Sequence, residues 1–134
     1  MTRITAFACA LALMIAPPAV AQTDDEVEAR LTPAVRACER APEKGGTLDQ
    51  ALCYKDEAVR QDQRLHEVWK QVAHRLSPAG RLAMRKRERQ WIKERDSRCH
   101  EEAAGDIGTT AAYMFNVCMA NETIRRTMWL ERVR

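Results

Sequence analysis

Apolar residues recur at steps of three and four between positions 47 and 76, which is the spacing of one face of an α-helix. Thr47 through Gln50 match a capping box, in which the Thr and Gln side chains each satisfy a free backbone donor, so a long helix is predicted to begin there. Ser77-Pro78 ends this helix and caps the next one. The apolar positions of this first long helix are Leu48, Ala51, Leu52, Ala58, Val59, Leu65, Val68, Trp69, Val72, Ala73 and Leu76.

A second long helix is predicted from Pro78 to about Ala104, where Gly105 and Gly108 break the pattern. Thr109 can cap a further helix. Each of the two long helices is on the order of 40 Å long at the usual rise per residue. The stripe of the second helix is Leu82, Trp91, Ile92, Cys99 and Ala103, interrupted by charge, and the buried candidates after Thr109 are Ala112, Phe115, Cys118, Met119, Trp129 and Leu130.

A short helix precedes these two. Thr32-Pro33 is typical of an N-cap followed by proline at the first helical position, and Pro42 and Gly45-Gly46 break the helix after about Arg40. Residues 22–28 are polar and acidic, so they are predicted to be frayed. No strand pattern appears, and short connections favour antiparallel neighbours in a bundle.

The N-terminus has the pattern of an export signal. Arg3 precedes an apolar run from Ile4 to Ile15, and the small residues Ala19-Val20-Ala21 follow a pair of prolines. We predict cleavage after residue 21, which would also remove Cys9. The apolar run of about a dozen residues is shorter than the roughly 18 that a transmembrane helix needs. The mature chain, residues 22–134, is then predicted to be one domain in the periplasm or outside the cell.

Four cysteines remain after cleavage: Cys38, Cys53, Cys99 and Cys118. An even number of cysteines in an exported chain indicates two disulfides. We predict the pairs 38–53 and 99–118, because each closes a short loop over a helix break. A 53–99 pair remains the alternative, since a reversal near residue 77 brings these two positions toward the same end. The predicted fold class is therefore all-α: a small elongated antiparallel helical bundle, of two long helices plus a third, short N-terminal helix, with two disulfides.

The sequence contains no set of residues that predicts catalysis or metal binding. No nucleophile elbow and no Gly-rich phosphate loop is present. The cysteine spacings are too long for a zinc knuckle, and His66 and His74 lie two helical turns apart. The formal net charge of +3 falls by one when Arg3 is removed, so overall charge does not favour a nucleic-acid partner. We therefore predict a non-enzymatic protein that binds no cofactor, metal or nucleic acid.

The second long helix is locally basic. Between positions 81 and 98, eight basic residues are opposed by three acidic ones. One interpretation is a footprint for anionic lipid or lipopolysaccharide, and the other is a solvated helix face with intrahelical ion pairs. The basic residues are Arg81, Arg85, Lys86, Arg87, Arg89, Lys93, Arg95 and Arg98, and the acidic ones are Glu88, Glu94 and Asp96.

A buried ion pair is predicted between the two long helices. Asp62 and Arg95 both lie on apolar faces, and a hairpin that reverses at residue 77 or 78 brings them level. A forked arginine–carboxylate pair can satisfy both groups, whereas either charge alone would be costly to bury. The pair is predicted to set the register of the helices. The alternative is that both side chains reach solvent past the helix edge. The predicted core around it is Leu65, Trp69, Trp91, Ile92 and Trp129.

Four segments of the mature chain together resemble the lysozyme-inhibitor LprI-like domain family of exported bacterial proteins. They are Cys38 through Leu52-Cys53, Asp62-Gln63-Arg64-Leu65 with Trp69, Arg89 through Cys99 with its Trp91-Ile92 and Arg95-Asp96, and Cys118 with Thr123, Arg126 and Leu130. The chain departs from the usual family pattern at Glu88, His66 and Trp69.

The resemblance implies an all-helical, disulfide-bonded periplasmic protein that binds and inhibits lysozyme. Animal lysozymes are basic, so the expected inhibitory surface is acidic: residues 24–28, or the end that carries Glu101, Glu102 and Asp106. The alternative function is an envelope structural or stress protein that binds anionic lipid or lipopolysaccharide through its basic helix.

Overall fold

The computed structural model describes residues 22–133, so the predicted signal peptide and Cys9 lie outside the described residues. Residues 22–133 form five helices and no strand, which confirms the all-α class. The helices are α1 (Asp24–Glu28), α2 (Pro33–Arg40), α3 (Thr47–Arg75), α4 (Pro78–Ala103) and α5 (Gly108–Arg132). Within this part of the chain, no helix combines the length and the apolar character needed to cross a membrane.

The helix starts follow the sequence signals at two of the four predicted caps. The cap predicted at Thr109 is wrong, because Ile107 is the N-cap of α5 and Thr109 lies within the helix. The hydroxyl groups of Thr32 and Ser77 accept hydrogen bonds from the first turns of α2 and α4. The capping box predicted at residues 47–50 is wrong, because Gly46 is the N-cap of α3 and makes no side-chain bond. Gln50 Nε2 instead donates to the Lys44 carbonyl at 2.7 Å, which fastens the preceding loop. Residues 24–28, predicted to be frayed, form α1 behind a capping box of their own.

The last helix, α5, packs along both α3 and α4, while α3 and α4 make few direct backbone contacts with each other. α3 and α5 run parallel: Asn116 Nδ2 donates to the Ala51 carbonyl at 3.0 Å, and farther along Arg64 lies 3.6 Å from Glu131. α4 runs antiparallel to both. The sequence predicted a helix in this region but not that it would be a third long helix at the centre of the bundle.

Both predicted disulfides are present. Cys38 is bonded to Cys53 and Cys99 to Cys118, with Cα–Cα distances of 5.8 Å and 5.5 Å. The alternative 53–99 pairing is therefore excluded. Cys53 lies in the first part of α3 and Cys118 in the first half of α5. Because these two helices run in the same direction, both disulfides brace the same end of the bundle, opposite the α3–α4 turn.

The core consists of two clusters. One lies where α1 and α2 cover the α3–α5 pair, and the other lies toward the α3–α4 turn. Residues of the first are Val27, Leu31, Val35, Cys53, Tyr54, Ala120, Ile124 and Met128. Residues of the second are Leu65, Val72, Met84 and Leu130, with Trp69, Trp91 and Trp129 partly buried against them.

Several positions predicted to be apolar contacts are at the surface instead. Ile92 is 41 % exposed and Leu82 is 67 % exposed, so placing them in the buried stripe was wrong. In α3, Leu48, Leu52 and Val59 are exposed as well. The physical reason in α4 is that two of the inward positions carry charge, so the apolar residues alone do not mark the buried face. The buried residues of α4 are Met84, Glu88, Arg95, Cys99 and Ala103.

Candidate functional site

Arg95 is the centre of a polar network where α3, α4 and α5 meet. Its Nη1 lies 2.9 Å from Asp62 Oδ1 and 3.1 Å from Thr123 Oγ1, and its Nε donates to Asp96 at 3.0 Å. The guanidinium group also lies 5.0 Å from the centre of the Trp91 ring. The side chain of Arg95 is 8 % exposed and that of Asp62 is 52 % exposed. The structure thus brings the two predicted partners together, but Asp62 stands at the rim rather than in the interior.

A second ion pair, between Glu88 and Arg126, joins α4 to α5. Arg126 Nε donates to Glu88 Oε1 at 3.0 Å, and the carboxylate is buried. The guanidinium group of Arg126 also lies against two rings, 4.0 Å from the centre of Trp129 and 5.3 Å from that of Trp91. Sequence reasoning missed this pair. Its only signal is that Glu88 precedes Arg95 by seven residues, which is two helical turns on the same face.

A third polar contact anchors the start of α2 on α3. Glu57 is fully buried and accepts hydrogen bonds from the Thr32 hydroxyl group, from Thr32 N at 2.9 Å and from Gln61 Nε2 at 2.7 Å, with Arg60 Nε at 3.0 Å. Burial acts to raise the pKa of the Glu57 carboxyl, but these hydrogen bonds outweigh it and hold the pKa below its ordinary value. These three networks explain how the described part of the bundle tolerates buried charge, since every buried side-chain polar atom there has a partner.

The splaying of α3 from α4 leaves a long open surface, the α3–α4 groove. It has two adjoining parts, of about 470 Å³ and about 380 Å³, which share His66, Trp69 and Arg85. The first part is completed by Lys70, Ala73, His74 and Arg81, and the second by Asp62, Leu65, Glu88, Arg89, Trp91, Ile92 and Arg95.

The groove is cationic because its acidic residues are already paired. Asp62 faces Arg95 and Glu88 faces Arg126, whereas Arg85 and Arg89 have no ion-pair partner among residues 22–133. The interpretation of α4 as a face of intrahelical ion pairs is therefore wrong at these two arginines: Glu88 is held by α5, and Glu94 accepts from Gln90.

The opposite end of the bundle carries an acidic surface that includes an exposed apolar residue. We define it as the acidic tip: Glu101, Glu102, Asp106 and Ile107. Ile107 is 89 % exposed, in the short connection between α4 and α5 that the 99–118 disulfide braces. Asp106 N donates to the Ala103 carbonyl at 3.1 Å, and Gly108, the residue after Ile107, has a φ of 63° that favours glycine. The tip is thus a constrained projection.

The other predicted acidic surface, residues 24–28, is largely engaged within the molecule. Asp24 pairs with Arg125, Glu26 caps the start of α1, and Glu28 lies 2.9 Å from Arg36. At the tip, in contrast, Glu102 and Asp106 form no side-chain hydrogen bond or ion pair with the described residues. The tip is therefore the acidic surface with more charge available to a partner.

Among the described residues, no three His, Cys, Asp or Glu side chains converge in a way that could hold a metal ion. His66 and His74 line the groove without meeting at one point, and the cysteines at positions 38, 53, 99 and 118 are all in disulfides. The arrangement offers surfaces for binding.

Comparison with known protein families gives a match over most of the chain. Residues 38–130 match the family model described as lysozyme inhibitor LprI, which spans both disulfides and nearly all of α3, α4 and α5. The description names an inhibitor and not an enzyme. Neither the curated proteins nor the solved structures contain a match to the chain.

Proposed function

The chain belongs to the lysozyme inhibitor LprI family, and on that basis we propose that it binds lysozyme and inhibits it. The family match over residues 38–130 is the observation that carries the proposal. Residues 1–21 act in this account as an export signal that delivers the protein to the periplasm or the medium, where it meets lysozyme that enters from outside.

The acidic tip is the proposed contact surface. A basic lysozyme is attracted to unpaired carboxylates and repelled by the α3–α4 groove. Ile107 adds apolar contact to this electrostatic attraction, because its side chain can be buried at the centre of an interface. The disulfide below the tip limits the conformational freedom lost on binding, which favours affinity.

The charges restrict where each tip residue can lie. Lysozyme cleaves its substrate between two carboxyl groups in a cleft. Glu102 and Asp106 would be repelled from those groups, so we place them on the basic rim of the cleft. Ile107, which is uncharged, occupies the mouth of the cleft. Inhibition is then competitive, because the tip blocks the path of the polysaccharide.

The test is lysis of a cell-wall suspension by lysozyme in the presence of the oxidised chain from residue 22. We expect complete inhibition as the protein exceeds the enzyme, weakening as salt is added because salt screens exposed charges. Absence of inhibition at large excess, across several types of lysozyme, would remove the proposed function and leave the fold unaffected.

A further inference from the structure

An exposed stripe on α4 combines cationic and apolar side chains. Leu82, Arg85, Arg89 and Ile92 follow one another at steps of three and four, so they share one face of the helix. Leu82 and Ile92 are the exposed large apolar residues of α4, and the two arginines between them have no partner among the described residues. Like charges four residues apart destabilise a helix slightly, so this arrangement is not explained by the stability of α4.

The facing side of α3 adds to the same surface. Trp69 lines both parts of the groove opposite Arg85, and His66 lies beside it. Indole rings favour the boundary between apolar and polar surroundings, where the ring is buried and its N–H remains wet. The acidic groups of the groove, Asp62 and Glu88, are neutralised by their own arginine partners. The whole face therefore presents positive charge and apolar surface together.

We propose that this face docks on a bilayer that contains anionic phospholipid. Headgroup phosphates accept hydrogen bonds from Arg85 and Arg89, and Leu82 and Ile92 enter the boundary with the acyl chains. A soluble polyanion would pair with the arginines but leave both apolar side chains in water. A phospholipid surface satisfies both, and basic residues near such a surface strengthen binding additively.

The docking face covers the first half and the middle of α4, and the acidic tip lies at the C-terminal end of this helix and in the connection that follows it. Arg85 is about 30 Å from the connection at residue 104, by the rise of the helix. A chain docked through Leu82 and Arg85 therefore still presents Ile107 to a protein in solution. The proposal rests on other residues than the proposed inhibition, so either one can fail without the other.

The test measures partition of the oxidised chain from residue 22 onto vesicles of phosphatidylglycerol and phosphatidylcholine, with pure phosphatidylcholine as the reference. The variant Arg85→Gln/Arg89→Gln should lower the partition coefficient on the order of thirtyfold, from the usual contribution of two basic residues at an anionic surface. The matched control is Lys86→Gln/Arg87→Gln, which removes the same charge from the side of α4 that borders Trp129 instead of the groove. The control should lose severalfold less binding.

Two further measurements distinguish binding to a lipid bilayer from binding to a free anion. Leu82→Ser/Ile92→Ser should reduce the binding that remains at high salt, because that part depends on apolar contact. Inorganic phosphate should displace the protein no better than chloride at equal ionic strength. Failure of the natural chain to bind anionic vesicles, equal losses in the two charge variants, or specific displacement by phosphate would each overturn the proposal. All six substituted side chains are exposed, and thermal unfolding verifies that each variant is folded.

Discussion

Arg95 and Asp62 face each other across the α3–α4 groove with 2.9 Å between Nη1 and Oδ1, yet only the arginine is buried. Removing the two side chains one at a time should therefore lower the stability by unequal amounts. We expect Asp62→Ala to lower the free energy of unfolding by about 1 kcal/mol, as for an exposed ion pair. Arg95→Ala should cost about 3 kcal/mol, because it also removes the contacts with Thr123, Asp96 and Trp91.

Denaturant unfolding of both single variants and the double variant measures this asymmetry. The coupling between the two residues should be smaller than the cost of Arg95→Ala, since most of the arginine's contacts survive in Asp62→Ala. Equal losses for the two single variants would mean that Asp62 contributes as a buried partner.

The Glu88–Arg126 pair should contribute more to the free energy of unfolding than the Asp62–Arg95 pair, because Asp62 is exposed and Glu88 is buried. Replacing Glu88 by Ala leaves Arg126 between two tryptophan rings without its carboxylate, and we expect a loss of about 3 kcal/mol. Glu94→Ala is the matched control on the same helix, because Glu94 is exposed and, among residues 22–133, its side chain bonds only to Gln90. It should change stability by less than about 0.5 kcal/mol. Similar losses at positions 88 and 94 would contradict the assignment of a buried pair.

The fold could be predicted from the sequence where signals are local. Ser77-Pro78 marked the α3–α4 turn, and the cysteine positions around two helix breaks gave the disulfides. The face of α4 could not be predicted in the same way. A periodicity argument assumes that buried positions are apolar, whereas Glu88 and Arg95 are buried because α3 and α5 supply their partners. That pairing depends on how the helices are arranged, which local patterns do not contain.

The candidate surfaces were predictable only in outline. The sequence shows the acidic residues at 101, 102 and 106 and the basic residues of α4. Which of these charges form ion pairs depends on how the helices pack, so the sequence does not show which remain available to a partner. Glu88 resembles a neutralising neighbour of Arg85 in the sequence and pairs with Arg126 in the structure. The exposure of Ile107 likewise follows from its place beyond the 99–118 disulfide.

Stability should fall in acid partly through Glu57. Its pKa is held below the ordinary value of 4.5 in the folded chain, so the unfolded chain binds the proton more readily. This contribution is complete above the unfolded pKa and is lost as the pH falls through the folded pKa. Glu57→Gln should therefore be less stable than the natural chain near neutral pH, and the difference should narrow below about pH 4. Urea unfolding at both pH values measures it; a difference that does not depend on pH would contradict the lowered pKa.

Removing each of the two disulfides should have a different effect on lysozyme inhibition. Removing either one should cost about 3 kcal/mol, by the loss of a loop constraint. Only the pair Cys99→Ala/Cys118→Ala loosens the acidic tip, so only this variant should weaken lysozyme inhibition at a temperature where both variants remain folded. Cys38→Ala/Cys53→Ala is the control, and equal loss of inhibition in the two would indicate that the tip is not the contact.

Ile107 should behave as the centre of the lysozyme interface. Ile107→Ser should raise the inhibition constant about thirtyfold, which is the effect of losing an interface side chain worth roughly 2 kcal/mol. Stability should hardly change, because the side chain is almost fully exposed. The control is Leu82→Ser, because Leu82 is also an exposed apolar residue and lies near the other end of α4. This variant should inhibit lysozyme as the natural chain does.

Whether the acidic tip is the surface that inhibits lysozyme is decided by the inhibition constant against a basic lysozyme, compared between two charge-reversed variants. Glu102→Lys/Asp106→Lys reverses the acidic tip, and Asp25→Lys/Asp56→Lys makes the same change in net charge at exposed positions on α1 and α3. We expect the inhibition constant of the tip variant to rise at least about tenfold, while that of the control stays within about threefold of the natural chain. Equal losses in both, or a natural chain that inhibits no lysozyme, would contradict it.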